Sequence, residues 1–163
     1  MTEQPPIIGF IGLGAMGGPM VRNLLAAGYS VYGFDLDSER LNSATRAGAQ
    51  PVEKIAALVT EATILMTSLP SSQAFITVAE NELLPHMRPG QTLIDFGTTS
   101  IPRTRQLAQA FAANGVDFID APVSGGPGGV EERRLYLFLG GARAVVERHM
   151  PLFTAIGGPD RIT

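Results

Sequence analysis

The sequence predicts an α/β fold of the Rossmann type, a doubly wound and largely parallel sheet with helices on both faces. Two observations carry that reading. Strand-like and helix-like segments alternate along the whole chain, and a glycine fingerprint falls at the junction of the first strand with the first helix. Ile7 to Ile11 is a short apolar run, and Met16, Met20, Val21, Leu24 and Leu25 follow it at helical spacing, with Gly28 as the helix stop. Val31 to Phe34 reads as the next strand, Asp37 to Ala47 as a helix, and Ala62 to Leu69 as a buried strand rich in apolar and β-branched residues.

The alternation continues through the second half. Thr92 to Phe96 reads as a strand, Ser100 as an N-cap with Pro102 in the first turn behind it, and Leu107, Ala108 and Phe111 as the buried face of the helix that Asn114-Gly115 ends. Val116 to Ile119 and Leu135 to Leu139 are two more strands, and Ala142 to about Phe153 is a closing helix. Between those strands, Pro122 to Gly129 is too rich in glycine to serve as a core element, and it reads as a ligand-contacting loop.

With 163 residues the chain fits one domain, residues 1–163. An apolar fraction of 45% against 17% charged residues describes a compact soluble protein. A net charge of -3 supplies no positive surface for nucleic acid or anionic lipid, which leaves small-molecule chemistry as the expected business of the chain. The absence of cysteine excludes disulfides and thiolate metal sites and suits the cytoplasm. Met1 to Pro6 is short and polar, without the apolar stretch of a signal peptide, and no run of residues is long and apolar enough to span a membrane.

Gly12-Leu13-Gly14-Ala15-Met16-Gly17 fits G-x-G-x-x-G, placed after a strand and at the head of a helix. Gly12 permits the tight turn, Gly14 lets backbone approach a pyrophosphate, and Gly17 allows close packing of helix on strand, while the helix N-terminus attracts negative charge. Asp35 lies 18 positions beyond Gly17 at the end of the second strand, where this fold places the acid that accepts hydrogen bonds from the adenosine ribose. A carboxylate there repels a 2'-phosphate, and neither Leu36 nor Asp37 offsets it with a cation, so the expected cofactor is NAD rather than NADP. Ser71, before a helix, reads equally as an N-cap and as a cofactor contact. His86 and His149 stand in no catalytic context, and no metal site is indicated.

Three segments together resemble the β-hydroxyacid dehydrogenases, the family of 3-hydroxyisobutyrate dehydrogenase, tartronate semialdehyde reductase and 6-phosphogluconate dehydrogenase. They are Gly9 to Gly17, the turn Ser68-Leu69-Pro70, and Asp120-Ala121-Pro122-Val123-Ser124-Gly125-Gly126 with Gly140-Gly141 downstream. The resemblance implies that Ser124 bonds the substrate's carboxylate or hydroxyl, with Gly125 and Gly126 opening their backbone amides to it. It implies that Leu69 and Pro70 touch the cofactor and that Thr98 lies near the nicotinamide, although a strand-end threonine also satisfies local backbone. The implied acid/base is a lysine on the long helix after this domain, assisted by an asparagine. Lys54, the single lysine of the chain, reads as a solvated charge, so the chain reads as a piece of a longer protein, inactive alone.

The resemblance further implies an all-α C-terminal domain outside this chain, a small 3-hydroxy acid as substrate, and weak self-association through the face that domain would cover. Glu131-Glu132-Arg133-Arg134 departs from the family, which has small residues and a glycine there; the arginine pair reads as a carboxylate clamp or as a solvated edge. Two other functions compete with the dehydrogenase: a non-catalytic dinucleotide-binding domain used in assembly, and an imine reductase.

Overall fold

The computed structural model describes residues 5–163; Met1 to Gln4 of the polar leader lie outside the described residues. Six parallel strands form the main sheet: β1 (Ile7–Ile11), β2 (Ser30–Phe34), β3 (Gln50–Pro51), β4 (Ile64–Thr67), β5 (Thr92–Asp95) and β6 (Asp117–Asp120). Their order is β3-β2-β1-β4-β5-β6. The chain therefore winds outward in one direction from β1 and in the other from β4, and the carboxyl ends of β1 and β4 form the switch point where such sheets open a crevice.

Both faces are covered, which is why the strands are apolar without alternation. Ile8, Phe10, Met66 and Ile94 point to one side, where they pack with Met20, Val21 and Leu24 of α1 (Gly17–Ala26) and Phe153 of α7 (Arg143–Gly157). Ile11, Leu65 and Leu93 point to the other, against Leu58 of α3 (Ile55–Glu61), Phe75 of α4 (Ser72–Val78) and Phe111 of α5 (Ile101–Ala113). Helix α2 (Ser38–Arg46) contributes Ala44 to the first side. Beyond Val78, α4 runs on through a π-helical turn, Ala79–Leu83.

Most expected elements are present, and the departures have local causes. The stretch between Ala49 and Ala62, unassigned from sequence, holds β3 and α3; two residues of edge strand and seven of helix are too short for a periodic signal. Ser100 precedes α5 but its hydroxyl caps nothing; its carbonyl accepts from Thr104 instead, at 2.9 Å. Helix α7 continues past Phe153 to Gly157, carried by buried Ala155 and Ile156.

The largest correction concerns the glycine-rich segment. It is no plain loop: Val123–Ser124 forms β7 and Gly126–Glu131 forms α6, anchored by fully buried Val130. The expected strand Leu135 to Leu139 shrinks to β8 (Tyr136–Leu137), which pairs antiparallel with β7 rather than joining the main sheet. Asp120 and Gly140 exchange backbone hydrogen bonds of 2.9 and 2.7 Å, so the chain folds back along the sheet's edge instead of crossing over it.

One side chain ties this segment to the core. Asn23 of α1 donates from Nδ2 to the carbonyls of Val130 (2.8 Å) and Ile156 (3.2 Å), joining α1 to α6 and α7. Asn23→Ala leaves two partly buried carbonyls without that donor and is expected to lower unfolding stability by about 1–3 kcal/mol in urea titration. A loss near zero means solvent replaces the bonds freely.

Candidate functional site

The fingerprint glycines divide by what surrounds them. A Cβ on Gly12, whose φ is 92°, would collide with the Ser68 carbonyl, and one on Gly17 with the Gly12 carbonyl. Both are required by the protein's own packing, of β1 on β4 and of α1 on β1. Gly14 differs, because a Cβ there would meet nothing closer than the Arg40 guanidinium at 3.5 Å. Its bare backbone faces open space at the head of α1, whose N-terminus has neither a side-chain cap nor an acidic residue in the first turn. Such a helix end offers amide donors and positive potential to an anion.

Asp35, at the end of β2, fixes this loop in place. Its Oδ2 accepts from the Leu13 amide at 2.7 Å and its Oδ1 from the Asp37 amide at 2.8 Å, so one carboxylate joins the glycine turn to the β2–α2 turn. Lone pairs remain for further donors. Asp37 in turn caps α2, accepting from Glu39 and Arg40 amides at 2.9 and 3.1 Å. Ser71 is a cap as well: its hydroxyl accepts from the Ala74 amide at 3.1 Å.

Gly12, Gly14, Ala15, Met16, Asp35, Leu69 and Pro70 all line one cavity of about 740 Å³ at the switch point. Leu36, 95% exposed, stands at the same cavity, opposite Thr77 and Val78 of α4. These residues fit a dinucleotide: an uncapped helix end and a bare glycine for the pyrophosphate, a carboxylate for ribose hydroxyls, and apolar walls for the adenine. Leu13 and Gly17 do not line it; the Leu13 side chain is buried against Gly33, and Gly17 packs inward.

Leu36 and Asp37 supply no cation, but one stands a helical turn further on. Arg40 lines the cavity from the first turn of α2, with its Nε 4.0 Å from Asp37 Oδ2. Two carboxylates, Asp35 and Asp37, still outnumber it, so the local balance continues to disfavour an added phosphate.

Thr98 and Ser124 stand apart from this cavity, exposed beyond the carboxyl ends of β5 and β6. Ser124 closes β7, and Gly125 and Gly126 follow it with φ of 135° and 65°. The arginine pair is solvent-exposed: Arg134 pairs with Glu132 at 3.3 Å, and Arg133 donates to the Thr154 carbonyl near the end of α7. Arg133 takes a φ of 53°, a left-handed conformation that glycine adopts without strain.

The residue missed from sequence is Asp95, the last of β5. It is 1% exposed, lies in register between Thr67 on β4 and Asp120 on β6, and accepts from the Thr67 hydroxyl at 2.7 Å. Among the described residues no hydrogen bond of good geometry reaches Oδ2, and a Cβ on Gly97 would come within 3.2 Å of it, so the turn carrying Thr98 rests on this carboxyl. Burial pushes its pKa up to about 6, against the bonds from Thr67 and Gly97 and with help from Asp120, whose own pKa burial also raises. A short strand end reading Asp-Phe-Gly-Thr looks like any sheet edge in the sequence, and only the sheet order puts Asp120 beside it.

Because the folded pKa of Asp95 lies above the unfolded value of 3.8, the acid form stabilises the fold below about pH 4, and that contribution is lost as pH rises through about 6. Two pKa units correspond to roughly 3 kcal/mol. Relative to Asp95→Asn, the wild type is therefore expected to lose stability between pH 4 and pH 6, read from paired denaturation curves. A constant difference across that window would show an ordinary carboxylate.

A family model described as the NAD binding domain of 6-phosphogluconate dehydrogenase matches residues 7–163. The chain is 38% identical over 157 residues to 2-(hydroxymethyl)glutarate dehydrogenase of Eubacterium barkeri, covering 95% of this chain and 52% of the relative. It is 35% identical over 152 residues to 3-hydroxyisobutyrate dehydrogenase of Pseudomonas aeruginosa, covering 92% and 51%. Among solved structures, Mycobacterium tuberculosis 3-hydroxyisobutyrate dehydrogenase with L-serine superposes with a TM-score of 0.91 at 31% identity, over 98% of this chain and 54% of that one. The chain thus spans about half the length of the relatives it matches. The sheet order agrees with these matches, and the chain belongs to the NAD-binding domains of the β-hydroxyacid dehydrogenase family.

Proposed function

We propose that this chain is the cofactor-holding half of an NAD-dependent dehydrogenase acting on a small 3-hydroxy acid. The observation that carries the proposal is the meeting, in one cavity, of the bare Gly14 backbone, the α1 N-terminus and the Asp35 carboxylate. Gly12 and Gly17 shape the turn, Asp35 receives the ribose hydroxyls, and Leu69 and Pro70 wall the cofactor from the β4 side. Ser124, with the amides of Gly125 and Gly126, orients the substrate's carboxylate, and Thr98 flanks the nicotinamide from the turn above Asp95.

When bound, NAD accepts the hydride that leaves the hydroxyl-bearing carbon. The hydroxyl proton must leave at the same time, which calls for a general base. Lys54 sits exposed at the N-cap of α3 and makes no side-chain cap, and we assign it no part. By the resemblance, that base would be a lysine on a following helix, in a protein of the relatives' full length. Two of the relatives' names, 2-(hydroxymethyl)glutarate and 3-hydroxyisobutyrate, describe a hydroxymethyl carbon beside a carboxylate-bearing carbon, which supports the same connectivity in the substrate here.

Residues 1–163 are expected to bind NADH more tightly than NADPH in calorimetric titration and to turn over no hydroxy acid at a measurable rate. Asp35→Ala should weaken NADH at least about tenfold, or about 1.4 kcal/mol, and reduce the preference over NADPH. Equal affinity for the two dinucleotides, or robust turnover by these residues alone, contradicts the assignment.

A further inference from the structure

The antiparallel pair β7–β8 presents a surface that the dinucleotide cavity does not use. Leu135 and Leu137 are fully buried, so Tyr136 points to the opposite, outward face of β8. Ser124 is the direct cross-strand partner of Tyr136, and directly opposed residues of antiparallel strands share a face. The Ser124 hydroxyl and the Tyr136 ring therefore stand side by side.

Arg161 completes the group. Its guanidinium carbon lies 4.6 Å from the centroid of the Tyr136 ring, a cation–π distance. Nη1 donates to the Arg134 carbonyl at 3.2 Å, and the Arg161 carbonyl accepts from the Leu137 amide at 2.9 Å, so backbone and side chain are both held against β8. Among the described residues no carboxylate lies within ion-pair distance of it, whereas Arg22, Arg40, Arg103, Arg134, Arg143 and Arg148 each have one. A guanidinium held in place by a carbonyl and a ring, with its other N–H donors unspent, is poised for a planar anion.

We propose that Arg161, seated on Tyr136, is a specificity-determining residue that reads a second negative charge on the substrate, so that the hydroxy acid is a dicarboxylate. One carboxylate lies at Ser124 and the amides of Gly125 and Gly126, on one side of Tyr136, and the other on Arg161, on its far side. The inference rests on the assignment of Ser124 to substrate. Lysine at 161 would keep the charge but lose the planar fork and its stacking on Tyr136.

The test is an NMR titration of the 163-residue chain, with and without saturating NADH, using glutarate and butyrate as probes that differ in the second carboxylate. Glutarate is expected to bind at least about tenfold more tightly than butyrate and to perturb Ser124, Tyr136 and Arg161. Arg161→Gln should erase the difference while NADH affinity stays unchanged, and Arg161→Lys should restore only part of it. Ser124→Ala should weaken both acids together. Equal binding of the two acids, binding of neither, or a glutarate preference that survives Arg161→Gln overturns the proposal. Failure of NADH to bind counts separately, against the dinucleotide reading, and the acid titration without NADH still decides the role of Arg161.

Discussion

Everything at the carboxyl edge of the sheet depends on how closely three backbone segments approach one another at the switch point. The Gly17 backbone sits against the Gly12 carbonyl, and Gly12 in turn sits against the Ser68 carbonyl, with no room for a methyl group in either gap. Because the gaps are closed by carbonyl oxygens rather than flexible side chains, a Cβ would have to displace a strand or a helix. Close contact here aims the α1 N-terminus at the cavity and sets the first turn beside Leu69. The same contact makes two of the three fingerprint glycines matters of packing, and Gly14 a matter of access.

The sheet's carboxyl edge is also where the protein tolerates electrostatic cost. Asp95 and Asp120 end adjacent strands in register, and Thr67 supplies the hydroxyl that meets one of Asp95's two oxygens. At the opposite edge the polar contacts are of another kind: buried His149 lies 3.0 Å from the Thr92 hydroxyl, with its pKa lowered by burial and by Arg148, against the pull of Asp117. That arrangement favours the neutral imidazole and locks α7 onto the start of β5. Its stability is fully present above the histidine's ordinary pKa and declines as pH falls below it, opposite in sign to the Asp95 contribution. The two edges thus respond to protons in opposing directions.

Local chemistry made most of the first half of the fold legible, the short β3 and α3 excepted. The glycine turn, the β2 acid and the apolar strands each follow from a few neighbouring residues, and all of them lie where the sequence puts them. Legibility failed where the answer depends on distant partners. Leu135 to Leu139 carries a strand pattern, yet nothing in it reveals that Tyr136–Leu137 pairs with Val123–Ser124 and not with the main sheet. Likewise Arg40 was invisible as part of the site because it is a helical turn away from Asp35 in sequence, and Asp95 because its burial comes from strands on either side. The cavity groups seven of the ten residues read from sequence as cofactor contacts; Leu13 and Gly17 pack inward, and Thr98 lies with Ser124 on the neighbouring edge.

Asn23 gives this geography a mechanical meaning. By bonding carbonyls in both α6 and α7 from the middle of α1, it makes the helix behind the glycine turn and the helix behind Ser124 parts of one rigid body. The glycine turn and the Ser124 loop are thereby linked through one side chain as well as through the packing of α1 on α6 and α7. Reacting atoms need to be held to a fraction of an ångström, and a half-buried amide between three helices contributes to that kind of order. Alignment in this fold is thus a property of the scaffold's interior, established before anything binds.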